Sequence, residues 1–128
     1  MSYYFSKTLP ISFDDAIQRT TEALKNEGFG IITEIDIKQT LKTKIGVDFR
    51  NYRILGACNP KMAHEALQID DKVGTMLPCN VIVQEIADGN TEVAAIDPVA
   101  SMQAIDEGRL RQTAEIIRAR LKHVIESL

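Results

Sequence analysis

The sequence predicts an α+β fold in the order β-α-β-(α)-β-α-β-β-α, with a mainly antiparallel, curved sheet packed on helices. Three observations lead to it. Short β-branched or alternating runs take turns with helix-period stretches that carry their own start and stop residues. Asp88-Gly89 is a two-residue hairpin signal between two apolar runs, so the last two strands are antiparallel neighbours. That hairpin breaks the alternation, and no Gly-rich phosphate loop follows any strand, so a doubly wound parallel sheet is the weaker alternative.

Each element has a local cause. Residues 2–8 are rich in Tyr, Phe and Thr and read as a strand. Ser12 then stands at a helix N-cap with Asp15 in the first turn, and Phe13, Ile17, Thr20 and Leu24 follow at helical spacing until Gly28. Phe29, Ile31, Thr33 and Ile35 alternate as one face of a second strand. Asp36 caps a shorter helix through Ile37, Leu41 and Ile45, ended by Gly46. Tyr52 to Cys58 reads as a strand, and Asn59-Pro60 starts a helix whose buried face is Met62, Ala63, Ala66 and Leu67. Residues 70–76 are polar and read as a loop. Asn80 to Ile86 and Thr91 to Asp97 are the hairpin strands, the second stopped by Pro98. A last helix begins near Asp106, with Leu110, Ala114, Ile117, Leu121, Val124 and Leu128 on one stripe.

Composition narrows the function classes. The chain has 128 residues, 45% hydrophobic and 26% charged, which suits one globular domain over residues 1–128. A net charge of -3 gives no general attraction to nucleic acid or to an anionic membrane. There is no Trp, and aromatics total 5%, which argues against a base-stacking platform. No apolar run is long enough to span a bilayer, and the first ten residues lack the basic and apolar regions of a signal peptide. A cytoplasmic location follows as an expectation, with Cys58 and Cys79 as reduced thiols. Tyr3, Tyr4 and Phe5 on an edge strand would favour a homodimer.

The feature that invites chemistry is a repeated dipeptide, Cys58-Asn59 and Cys79-Asn80. With Asp88-Gly89 as a two-residue turn, Ile82 faces Ala95 and Asn80 faces Asp97, so a thiol, an amide and a carboxylate share one end of the hairpin. Converging thiolates at Cys58 and Cys79 suit a soft metal, with Met102 or His64 as further ligands. One thiol could instead serve as a nucleophile, the Asn side chains holding a carbonyl or oxyanion. Against both stands a structural reading. Cys often packs as a small hydrophobe, Asn59 is explained as a helix cap, and Asp97-Pro98 is an ordinary turn. His64 lies off the apolar stripe of its helix, and Met102 is by default core filler.

The segments ILGACNP (Ile54 to Pro60), MLPCNVIV (Met76 to Val83) and AIDP (Ala95 to Pro98) resemble the domain of unknown function numbered 302. The resemblance covers nearly the whole chain. It implies a β-α-β4-α fold like that of the TATA-binding-protein class, without implying DNA binding. It maps Cys58, Asn59, Pro60, Pro78, Cys79, Asn80, Asp97 and Pro98 onto the family's characteristic positions, and the family has no agreed activity. The sequence thus leads to a non-catalytic small-ligand or soft-metal binding module near Cys58, Cys79 and Asp97. A thiol-dependent enzyme and a purely structural or protein-interaction domain are the alternatives. Which cofactor, if any, it takes is unknown from the sequence.

Overall fold

The computed structural model describes residues 2–128. Its strands are β1 (Tyr4–Leu9), β2 (Gly30–Asp36), β3 (Tyr52–Cys58), β4 (Cys79–Ala87) and β5 (Asn90–Ile96). They form one sheet in the order β1-β5-β4-β3-β2, and every neighbouring pair is antiparallel. The helices are α1 (Phe13–Asn26), α2 (Ile37–Ile45), α3 (Pro60–Ile69), α4 (Pro98–Ser101) and α5 (Gly108–Glu126). The mainly antiparallel α+β architecture is the one the sequence predicts.

Capping explains where the helices begin. The Ser12 hydroxyl accepts from the Asp15 amide at 3.1 Å, and the Asp36 carboxylate accepts from the Gln39 amide at 2.9 Å. Asn59 does the same for α3, accepting from the Met62 amide at 3.2 Å, with Pro60 at the first helical position. Gly28 and Gly46, after α1 and α2, take φ of 85° and 67°, a region costly for any residue with a Cβ.

One face of the sheet carries the main core. Leu55 and Ala57 of β3, Val81 and Val83 of β4, and Val93 and Ala95 of β5 are all buried. They join Ala16 and Leu24 of α1 and Leu121 and Val124 of α5 in one cluster. Burying each of the larger side chains contributes about 1.5–3 kcal/mol. A second cluster links Ala66, Val73, Met102, Leu110 and Ala114 beside it.

Four local features differ from the sequence expectation. Residues 71–76 wind into a 3₁₀ helix, so that Val73 is buried where a polar loop was expected. The last helix begins at Gly108, capped by Glu107, because the Glu107 carboxylate accepts from the Arg109 amide at 3.0 Å. Leu67 is exposed, and Ala66 takes the buried position in α3. Two bulges also shift register. A bulge between Ile31 and Thr33 sends Thr33 and Ile35 to the face opposite Phe29 and Ile31, so the expected single alternating face is split. Another, between Glu85 and Ala87, makes Ile82 face Ala94, one place from the expected Ala95.

The other sheet face presents Tyr4, Ile54, Ile82 and Ile96 beside a polar chain. In that chain Arg50 donates to Gln84 at 2.8 Å, and Gln84 donates to Glu92 at 2.8 Å. β1 is an edge strand, with Tyr3 and Tyr4 exposed and Phe5 half-buried. Among the described residues, no helix is long and apolar enough to cross a membrane.

Candidate functional site

A cavity of about 340 Å3 opens where the ends of β3 and β4 meet α3, the 3₁₀ turn and the first half of α5. Its walls follow from small side chains at facing positions. Ala63 and Ala66 on α3 and Ala114 on α5 are too short to fill the gap between their helices. Phe29, Met62, Leu110 and Ile117 supply apolar surface, and Ile32 and Leu67 stand exposed at the lip. Among the described residues, no charged side chain lines it.

Both cysteines reach this cavity, together with Asn59 and Met102. Register explains the meeting of the thiols. β3 and β4 are neighbours, Cys79 pairs with Ala57, and Cys58 is the next residue. Cys79 is 6% exposed and Cys58 half-buried, and both are free thiols. Burial, with a smaller contribution from charge on Cys58, pushes the Cys79 thiol up from 9.0 to about 11. At neutral pH Cys79 is therefore protonated and a poor nucleophile.

The backbone beneath Cys79 is held by a close approach. A Cβ on Gly56 would lie 2.0 Å from Thr33 Oγ1 and 2.7 Å from Pro78 Cγ. Only glycine lets Thr33 and the Pro78 ring close over β3, which positions Pro78-Cys79 against the sheet.

The remaining candidates lie elsewhere. Asn80 is exposed and lines two other depressions, one of them over the opposite sheet face, because adjacent strand residues point to opposite sides. Asp97 is buried, and the observed register, extended two places beyond Val81–Ala95, brings it level with Cys79. Both its oxygens are engaged, however. Oδ1 accepts from the Val99 amide at 3.0 Å, and Oδ2 accepts from Arg118 Nε at 3.1 Å. Asp97 is thus the cap of α4 and an anchor for α5, and it does not line the cavity. His64 is exposed, 3.2 Å from Gln68, and faces a different surface depression. Among the described residues, no group of three or more His, Cys, Asp or Glu side chains is placed to share a metal ion. The structure therefore groups Cys58, Asn59, Cys79 and Met102 in the cavity; Asn80 meets Cys79 and Met102 only in a neighbouring depression, and Asp97 and His64 lie apart.

Sequence reasoning missed the walls: Phe29, Ala57, Ala63, Ala66, Leu110 and Ala114. The available signal was the run of small residues on α3, read there as a packing stripe.

The fold and site define a class: an α+β domain with a helix-backed antiparallel sheet and an uncharged, thiol-bearing cavity at one end. The chain belongs to the family described as "Domain of unknown function DUF302", whose family model matches residues 5–128. It is similar to a solved structure described as an uncharacterized conserved protein DUF302 from Bacillus stearothermophilus. That likeness has 28% identity and a TM-score of 0.89, and covers 98% of each chain. No curated protein matches the chain.

Proposed function

We propose that this chain is a non-catalytic binding module whose site is the cavity over Cys58 and Cys79. One observation carries it: a single concave space of about 340 Å3 takes in both thiols, with apolar walls and no charged lining. That size and character fit a small-molecule site. The alternative, a thiol nucleophile at Cys58 or Cys79, is disfavoured at Cys79, which burial holds protonated, and among the described residues no His, Asp or Glu lines the cavity to act as a general base. Free thiols suit a reducing compartment, and we place the protein in the cytoplasm on that ground.

Two-dimensional NMR with a panel of small molecules tests the reading. Shifts confined to cavity residues such as Ala63, Ala66 and Ala114 are expected. Shifts absent for the whole panel, or scattered over the surface, would overturn it. A soft-metal reading rests on the two thiols and the Met102 thioether sharing the cavity. Elemental analysis of protein purified without added metal decides that version, and a metal content near zero removes it. For the exposed edge strand β1 we propose a second copy as partner, since unpaired backbone groups there can extend the sheet. Sedimentation showing a monomer at all concentrations would end that proposal.

A further inference from the structure

Taking the cavity as the binding site, we propose that its ligand is a medium-chain monocarboxylate, its tail in the cavity and its carboxylate between Asn59 and Arg120 beside Gly28. The tail follows from the walls. An uncharged lining penalises any buried charge, and the exposed Ile32 and Leu67 at the lip prolong the apolar path outward. A volume of about 340 Å3, at roughly 30 Å3 per water-sized group, holds a tail of roughly ten carbons.

The head follows from two nitrogen donors that flank one point. A Cβ on Gly28 would stand 3.1 Å from Asn59 Nδ2 and 3.5 Å from Arg120 Nη1. The two nitrogens are therefore no more than about 6.6 Å apart, and Gly28 puts no side chain against either, so one carboxylate beside it can accept from both. It also lies at the right end of the cavity. Phe29, the next residue, lines the wall, and Gly30 pairs with Cys58. On α5, Thr113 and Ile117 line the cavity, and Arg120 follows Ile117 by three residues, one turn further along that stripe.

Both donors have capacity to spare. The Asn59 carbonyl oxygen accepts from the Met62 amide, while its Nδ2 has no acceptor among the described residues. Arg120 is half-buried and makes no salt bridge among the described residues. Among the described residues its one hydrogen bond is a long donation to the Glu27 carbonyl at 3.5 Å, while the Glu27 carboxylate is engaged by His123. An Arg fork without a carboxylate, at the end of an apolar slot, is complementary to a fatty-acid head group.

Calorimetric titration with decanoate, acetate and a ten-carbon methyl ketone separates the alternatives. Decanoate is expected to bind, and acetate, lacking the tail, is not. Arg120→Gln keeps a hydrogen-bond donor but shortens the side chain and removes the charge, and it should weaken decanoate at least tenfold while leaving the ketone unchanged. Asn59→Ser keeps a good helix cap and removes the amide donor, and it should weaken decanoate roughly fivefold. Thermal melts of both variants at wild-type values show that the folded site is being compared. If the ketone binds as tightly as decanoate, or if Arg120→Gln leaves decanoate affinity unchanged, the carboxylate assignment is wrong and the cavity remains a binding site. If no probe binds and no cavity resonance shifts, both proposals fall together.

Discussion

Cys79 makes the protein's stability pH-dependent in a defined window. Burial shifts this thiol from 9.0 to about 11, so the folded state keeps the proton after the unfolded chain has lost it. The stability it contributes is complete below pH 9 and is lost as pH rises towards 11. A shift of two pKa units corresponds to about 3 kcal/mol at the upper end. Cys79→Ala removes the titrating group and, by trimming a packed side chain, costs on the order of 1 kcal/mol at neutral pH. The wild type should therefore be the more stable protein at pH 8 and the less stable one by pH 11. Urea unfolding midpoints for both proteins at pH 8, 9, 10 and 11, at constant m-value, measure the gap. Tyrosine ionisation is common to both proteins and cancels in the difference. A gap that stays constant from pH 8 to 11 would refute the burial of the Cys79 thiol.

Two other perturbations probe the frame around the site. Gly56→Ala puts a methyl group 2.0 Å from Thr33 Oγ1 and 2.7 Å from Pro78 Cγ, so a loss of about 1–3 kcal/mol is expected. A melting temperature within 2 °C of the wild type would show that the close approach is not needed. Asp97→Ala removes the cap of α4 and the carboxylate that receives Arg118, and about 1–2 kcal/mol of stability should go with it. Because Asp97 does not line the cavity, ligand affinity should stay within twofold, and a larger loss would return Asp97 to the site.

Much of the fold was legible because its punctuation is chemical. Ser12, Asp36 and Asn59 cap helices as their side chains dictate, and Gly28 and Gly46 stand after helices at positive φ. Asp88-Gly89 makes the β4–β5 hairpin, with Ala87 opposite Asn90. The bulges at Ile32 and Ile86 were not legible, since neither position carries a Gly or Pro to mark an extra residue. The dipeptide repeat was only half informative. Asn59 leaves its strand to cap α3 and stays beside Cys58, whereas Asn80 remains within β4 and points away from Cys79. The cavity depends on which helices face one another across it. Ala63 and Ala114 lie about fifty residues apart in the chain, and their shared gap has no local signature.

The most direct test of the cavity as a binding site is the alkylation rate of Cys58 by N-ethylmaleimide, an uncharged reagent. It is measured at pH 8 on the wild type, on the wild type saturated with decanoate, and on Ala63→Leu, whose larger side chain reduces the cavity from its α3 wall. Cys58 lines the cavity and is half-buried, so both filling the cavity and occupying it should slow the reaction at least tenfold. Equal rates in all three samples would contradict a ligand site over the two thiols.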